Sequence, residues 1–196
     1  MGVVFVGGNL ALDYVGTLNE RHTNRVEQLR APADLGRWLV SAGVLDRPPE
    51  VTAGDLANAI GLREVLFALV EQRIDRPGEA PRPAHLRRLN AAAAAPDPVP
   101  RLTGNGRITH TGDLAAGLSA VARDAIALFD PDRGGVLKWC ADDDCTHPFL
   151  DRSRGHRRRW CEMAGCGDRV KAAAYRARRR GGAPSSTSSV SPGSAG

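Results

Sequence analysis

The 196 residues, 42% hydrophobic and 25% charged, have the balance of a soluble globular chain, with room for one ordinary domain or a modest domain plus a small appendage. No run approaches about 18 consecutive apolar residues, so no transmembrane helix and no membrane partner are expected. The net charge of +5 is unevenly placed: residues 138–180 hold 12 Lys/Arg against 6 Asp/Glu, residues 1–137 hold 15 against 16, and the last 16 residues hold none. A basic segment on a nearly neutral body points to an acidic partner, most often nucleic acid, although a solvated basic tail has the same composition. Met1–Leu12 lacks the basic flank and small-residue cleavage site of a signal peptide, which points to the cytoplasm. Its reducing conditions argue against a disulfide framework.

In chain order, Val3–Val6 reads as a short apolar strand, followed by Gly7-Gly8 and Asn9–Tyr14. Leu35, Trp38, Leu39 and Ala42 have the spacing of one helix face, with Gly43 as a stop. Thr52 and Asp55 form a capping-box-like start for a helix whose stripe is Leu56, Ala59, Ile60, Phe67, Val70 and Ile74, ended by Pro77-Gly78. A shorter helix runs from about Pro83 to Ala95. Arg101–Thr103 and Arg107–Thr109 flank Gly104-Asn105-Gly106, a hairpin signal because Asn and Gly tolerate positive φ. Leu114, Leu118, Val121, Ala125, Leu128 and Phe129 mark another amphipathic helix, stopped by Asp130-Pro131. The expected fold is mainly α with minor β: a helical N-terminal domain over 1–130, a linker at 131–136, a small zinc-finger-like module over 137–180 and a disordered Gly/Ser/Pro tail at 181–196.

All four cysteines lie in that module, as Cys140-x4-Cys145 and Cys161-x4-Cys166 separated by 15 residues. Two such pairs suit one tetrahedral, structural zinc ion closed to water, and a module of about 40 residues has too little core to be stable without one. Neither pair has the Cys-x-x-Cys spacing of a redox disulfide. Leu137, Trp139, Phe149, Leu150 and Trp160 are its candidate apolar cluster. Pro148–Asp151 and Arg157–Trp160 read as two strands joined by a turn, and residues 162–180 as a helix. At 100° per residue, Met163, Cys166, Val170, Ala173, Ala174 and Ala177 share one sector that should pack on the knuckle. Arg169, Arg176 and Arg180 line its side, and Lys171, Arg178 and Arg179 lie opposite.

Knuckle, hairpin, second ligand pair and helix resemble a treble clef. Cys140-x4-Cys145, Phe149-Leu150-Asp151, Ser153-Arg154, Arg158-Arg159-Trp160-Cys161, Met163-Ala164 and Cys166-Gly167-Asp168-Arg169 resemble the CGNR-type zinc finger, with Asp168 where that motif has Asn. Leu12-Asp13-Tyr14-Val15-Gly16-Thr17 is similar to the Leu-Asp-Phe-x-Asn-Thr segment of the ABATE domain, which precedes this finger in a family of stress-induced transcription regulators. Gly16 stands for the Asn. The resemblance implies a regulator that binds double-stranded DNA and is not an enzyme. Phosphate engagement would fall to Arg157, Arg158, Arg159, Arg169, Lys171, Arg176, Arg178 and Arg179, with Arg169 and Arg176 the first choices for reading guanine. Strand alternation would keep Arg158 off the face shared by Arg157 and Arg159. Asp142-Asp143-Asp144 should face away from the nucleic acid.

An RNA- or protein-binding adaptor and a nucleic-acid-processing enzyme are the alternatives. The enzyme would need a catalytic His: His156 lies in the expected turn with no partner at helical spacing, and both His147 and His156 read as exposed loop residues. Asn9, Asp13 and Thr17 are candidates for an effector pocket in the N-terminal domain, although Asp13 and Thr17 can equally satisfy backbone groups near a helix start. The glycine-rich segments match neither the dinucleotide fingerprint nor the P-loop. His22, His85 and His110 are scattered, and Trp38 reads as core.

Overall fold

The computed structural model describes residues 4–130, 132 and 134–181. Val3 and residues 182–196 of the expected tail lie outside the described residues, as do Pro131 and Arg133 of the linker. The fold is mainly α with three small two-stranded sheets. Helix α1 (Leu10–Val15) starts at Asn9, whose Oδ1 accepts from Leu12 N at 3.2 Å, and it is buried at the centre of the body. Strands β1 (Leu18–Asn19) and β2 (Val26–Glu27) pair antiparallel. Helix α2 (Pro32–Ser41) begins on a proline, and Asp34 reaches back to the N–H groups of Arg30 and Ala31. Helix α3 (Ala53–Asp75) opens on the reciprocal Thr52–Asp55 box that the sequence announces. Helix α4 (Pro83–Ala93), the hairpin β3–β4 (Val99–Leu102, Ile108–Thr111) and helix α5 (Leu114–Leu128) complete the body.

Helix α3 is more enclosed than one stripe suggests. Leu62, Leu66 and Leu69 are buried besides Leu56, Ala59 and Val70, because α1, α2, α4 and the finger cover it from several sides. Tyr14 and Trp38 anchor the core with ring centroids 5.0 Å apart. Arg63, 1% exposed, is paired bidentately with Glu27 at 2.7 and 2.8 Å, which ties α3 to β2.

Two expected strands are absent. Residues 4–6 join no sheet; their backbone meets the finger, with Val6 O accepting from Arg158 Nη2 at 3.0 Å and Gly7 O from Leu150 N at 2.8 Å. Likewise Arg157–Trp160 forms no ladder with Pro148–Asp151. Strand β6 (Pro148–Asp151) pairs instead with β5 (Val136–Trp139), in the register Trp139↔Pro148 to Val136↔Asp151, so the hairpin encloses the first cysteine pair. The chain is held off β6 by positive φ at Gly155 and His156 and by Asp151, whose carboxylate captures Ser153 N and Arg158 N. Lys138 Nζ then takes the carbonyls of His156 and Arg158.

The five apolar residues of the finger divide between two cores. Phe149 and Trp160 pack with the four cysteines and Val6. Leu150, Leu137 and Trp139 turn the other way and close over Leu12, Val70 and Leu128 of the body. Trp139 also donates to Asp75 Oδ1 at 2.8 Å and stacks on Phe67 with centroids 5.6 Å apart.

Candidate metal centre and nucleic-acid interface

Cys140 follows β5, Cys145 closes the first knuckle, Cys161 follows the arginine run, and Cys166 sits in a π-helical turn (Met163–Gly167) ahead of helix α6 (Asp168–Gly181). All four are buried, and their sulfurs lie within 4.8 Å of one another, with Cys145–Cys161 at 3.7 Å and Cys161–Cys166 at 3.6 Å. Zinc–sulfur bonds of about 2.3 Å set a tetrahedral edge of about 3.8 Å, so the arrangement fits a closed four-thiolate site. The crowded thiols shift one another, and hydrogen bonds from Cys145 and Cys161 hold the Cys140 thiol below its ordinary value. Bonding to Cys140 holds the thiols of Cys145 and Cys161 above their ordinary value. Bringing all four to thiolates takes a divalent cation. The four cysteines form a site for one zinc ion.

Supporting groups fix the ligands. Gly167 belongs to the wide turn closed by Gly167 N to Glu162 O at 3.0 Å, and a Cβ there would lie 2.6 Å from Met163 Sδ. Asp142, expected to face away as part of an acidic run, is buried; its carbonyl accepts from Cys145 N at 2.9 Å and its carboxylate is paired with Arg169 at 2.6 Å. Arg169 also reaches Cys166 Sγ at 3.5 Å, so this guanidinium clamps the first knuckle to the second. Asp151 is fully enclosed. Burial pushes its carboxyl up, but hydrogen bonds from Lys138 and Ser153 outweigh that and hold it well below the usual carboxylate range.

His147 is buried, against the expectation of an exposed loop residue. Its Nε2 lies 3.0 Å from Gly16 O, so the carbonyl assigns the proton to Nε2, and its Nδ1 lies 3.6 Å from Cys145 Sγ. Burial lowers its pKa. The contact explains the glycine at position 16: a Cβ there would sit 2.4 Å from the imidazole ring. His156 is exposed.

The basic residues separate into two groups. Arg158 is half-buried and stacked on Phe149, and its guanidinium donates to the carbonyls of Trp160, Val6 and Cys161. With Arg169 it is engaged within the protein. Arg157, Arg159, Lys171, Arg176, Arg178 and Arg179 are exposed, and none is in an ion pair among the described residues. Ala173, Ala174 and Ala177 are exposed as well, so the small-residue sector does not pack on the knuckle. No face of α6 from Lys171 to Arg179 is covered, so the helix beyond its first turn stands clear of the knuckle instead of turning another face to it. The Asp168 carboxylate stands in the first turn of α6, where a negative charge suits the helix dipole.

The side chains of Asn9, Asp13 and Thr17 each hold a backbone group. Asn9 caps α1, Asp13 Oδ1 accepts from Gly7 N at 2.8 Å, and Thr17 Oγ1 donates to Tyr14 O at 2.7 Å. Burial raises the Asp13 carboxyl to about 6.

Residues 8–130 match the ABATE family model, described as a putative stress-induced transcription regulator. The chain belongs to the ABATE family. Residues 137–179 match the CGNR zinc finger, in the order the motifs imply. The ABATE body followed by a CGNR finger makes the chain a zinc-finger regulator, and both are regulatory or zinc-finger families rather than enzyme families. No curated protein matches the chain. Among the described residues no helix is long and apolar enough to cross a membrane.

Proposed function

We propose that the protein regulates transcription by binding double-stranded DNA in the cytoplasm, with α6 as the element that enters the duplex. The observation that carries this reading is that every side chain from Lys171 to Arg179 is exposed, on a helix whose base is fixed by the metal ligand Cys166. Fourteen residues span about 21 Å, and a helix about 10–12 Å across fits a major groove about 12 Å wide. Cations around the helix can then meet phosphates on both walls: Arg176 on one flank, Lys171 and Arg178 on the other, with Arg179 between them. Arg157 and Arg159 extend the basic surface beside the finger, while the half-buried Arg158 and the exposed Arg169, paired with Asp142, brace it. Zinc, when bound, holds the knuckles together, and the residues of this chain make the contacts.

Fluorescence anisotropy with labelled duplex DNA and structured RNA, over a range of salt, tests the proposal. Duplex binding should weaken linearly in log–log form, and each of Arg176→Ala, Arg178→Ala and Arg179→Ala should flatten the slope by about 0.9. Preference for structured RNA, or DNA binding indifferent to salt and to all three substitutions, would refute it. Unchanged plasmid after incubation with Mg²⁺ would dismiss the enzyme alternative.

A further inference from the structure

The junction between body and finger holds a cavity of about 280 Å³, at the small end of ligand sites. Asn9, Arg73 and Asp130 line it from the body, and the chain leading into β5, with Arg152 after β6, lines it from the other side. None of its residues is a zinc ligand or belongs to α6.

Asn9 is only 9% exposed, and one end of its amide is already used. Its Oδ1 accepts from Leu12 N at 3.2 Å as the cap of α1, and that donor fixes which end of the amide is oxygen. The Nδ2 group, with two N–H donors, meets no acceptor among the described residues. The enclosed side-chain atoms without a partner among those residues belong to Arg21, Gln28, Trp38 and Trp160. Asn9 Nδ2 is not one of them, so this donor opens onto the cavity that Asn9 lines.

The charges around the cavity point the same way. Arg73, Arg152 and Asp130 are exposed, and none of them is in an ion pair among the described residues. Arg152 gives one nitrogen to Gly8 O at 3.0 Å, Asp130 Oδ1 takes Asp132 N at 3.0 Å, and the Arg73 guanidinium meets nothing. Two guanidiniums and a carboxylate that line one cavity without pairing across it suit a molecule that carries the partner of each. Val136, 40% exposed, adds apolar surface to the same wall.

We propose that this cavity binds a small carboxylic acid bearing an amino or hydroxyl group. Its carboxylate pairs with Arg73 and Arg152 and accepts from Asn9 Nδ2. Its ammonium or hydroxyl donates to Asp130, and its short apolar part lies against Val136. Such a ligand touches body and finger at once and braces their junction. The proposal is independent of the DNA reading, since it involves neither α6 nor the metal centre.

The test uses the full chain loaded with zinc and ¹⁵N-labelled. Calorimetric titration measures affinity, and the side-chain amide resonances of Asn9, assigned by Asn9→Asp, report where the ligand sits. The probes are L-serine, L-glutamate and L-lactate, with acetate, which lacks the donor, and L-serine methyl ester, which lacks the carboxylate. At least one of the three acids should bind saturably and shift the Asn9 amide, and neither acetate nor the ester should. Asn9→Asp keeps the cap oxygen for Leu12 N, replaces the free donor by a negative charge, and should weaken binding at least about fivefold. Arg73→Ala, at an exposed helix position with no partner among the described residues, should weaken it about tenfold. If Asn9→Asp does not fold, Arg73→Ala decides, since it removes no contact of the fold. No saturable binding by any of the three, binding that leaves the Asn9 amide in place, equal affinity for acetate or the ester, or affinity unaltered by Arg73→Ala would overturn the proposal.

Discussion

Replacing Leu150 with Ala tests whether finger and body form one cooperative unit. Leu150 lies in the finger, next to Phe149 and the zinc ligands, yet its side chain fills a space bounded by Leu12, Val70 and Leu128 of the body. Leu→Ala in a closed core costs about 2–5 kcal/mol, and the cost rises with how little the site can collapse. Here β6 is held by its ladder to β5 and by Leu150 N to Gly7 O at 2.8 Å, so the backbone cannot move in to fill the gap. We expect about 3 kcal/mol, which for a chain of this length lowers Tm by about 6–12 °C. Urea unfolding followed by the indole NMR resonance of Trp160, the tryptophan that packs with the cysteines, and by circular dichroism at 222 nm separates the alternatives, because the first reports on the finger and the ellipticity mostly on the helical body. A single transition, displaced equally by both probes, is the expected result. Two transitions, of which Leu150→Ala moves only the one sensed by the finger, would refute the reasoning.

Three further outcomes are expected. Gly16→Ala should destabilise by about 1–3 kcal/mol, because its new methyl group collides with a buried, hydrogen-bonded imidazole; His147→Ala in the same chain should recover part of that loss, giving a coupling above about 0.5 kcal/mol in a double-mutant cycle. Asp13, raised by burial from 3.8 to about 6, keeps its proton in the folded state where the unfolded chain has lost it, so its contribution to stability is full below about pH 4 and lost as pH rises through 6. Asp13→Asn should therefore gain on the parent protein by about 1–2 kcal/mol between pH 4 and 7, allowing for partial solvent screening; a gap independent of pH contradicts the assignment. Removing zinc with a chelator should release about one equivalent per chain and lower the melting temperature of the helical body too, and an unchanged far-ultraviolet melt would argue against it.

What could be read from sequence depended on the range of the interaction. The Thr52–Asp55 box, the Asn-Gly hairpin and the four cysteines are local patterns, each recognisable within a few residues, and all three stand in the structure. The partner of β6 is not legible: Val136–Trp139, at the start of the module, takes the place expected for Arg157–Trp160, whose backbone is held instead by the side chains of Asp151 and Lys138. Alternation along the arginine run sets Arg158 apart from Arg157 and Arg159, and Arg158 does turn away from them onto three carbonyls, although the segment forms no strand. The 100° projection from Cys166 fails for a different reason: it ranks the faces of α6 but cannot show that beyond the first turn none of them is covered. His147 reads as exposed because its partner is a carbonyl 131 positions away, beyond the reach of any local pattern.

Adjacent residues of β6, Phe149 and Leu150, belong to the metal-bound cluster and to the helical body respectively. A finger organised in this way is not a portable cassette. Cut out and grafted onto another protein, it would present Leu137, Trp139 and Leu150 as an uncovered apolar patch and leave the body with Leu12 open to water. Exchange of binding specificity between relatives built on this plan should therefore proceed through substitutions along α6, which touches neither core beyond its first turn, rather than through exchange of whole fingers.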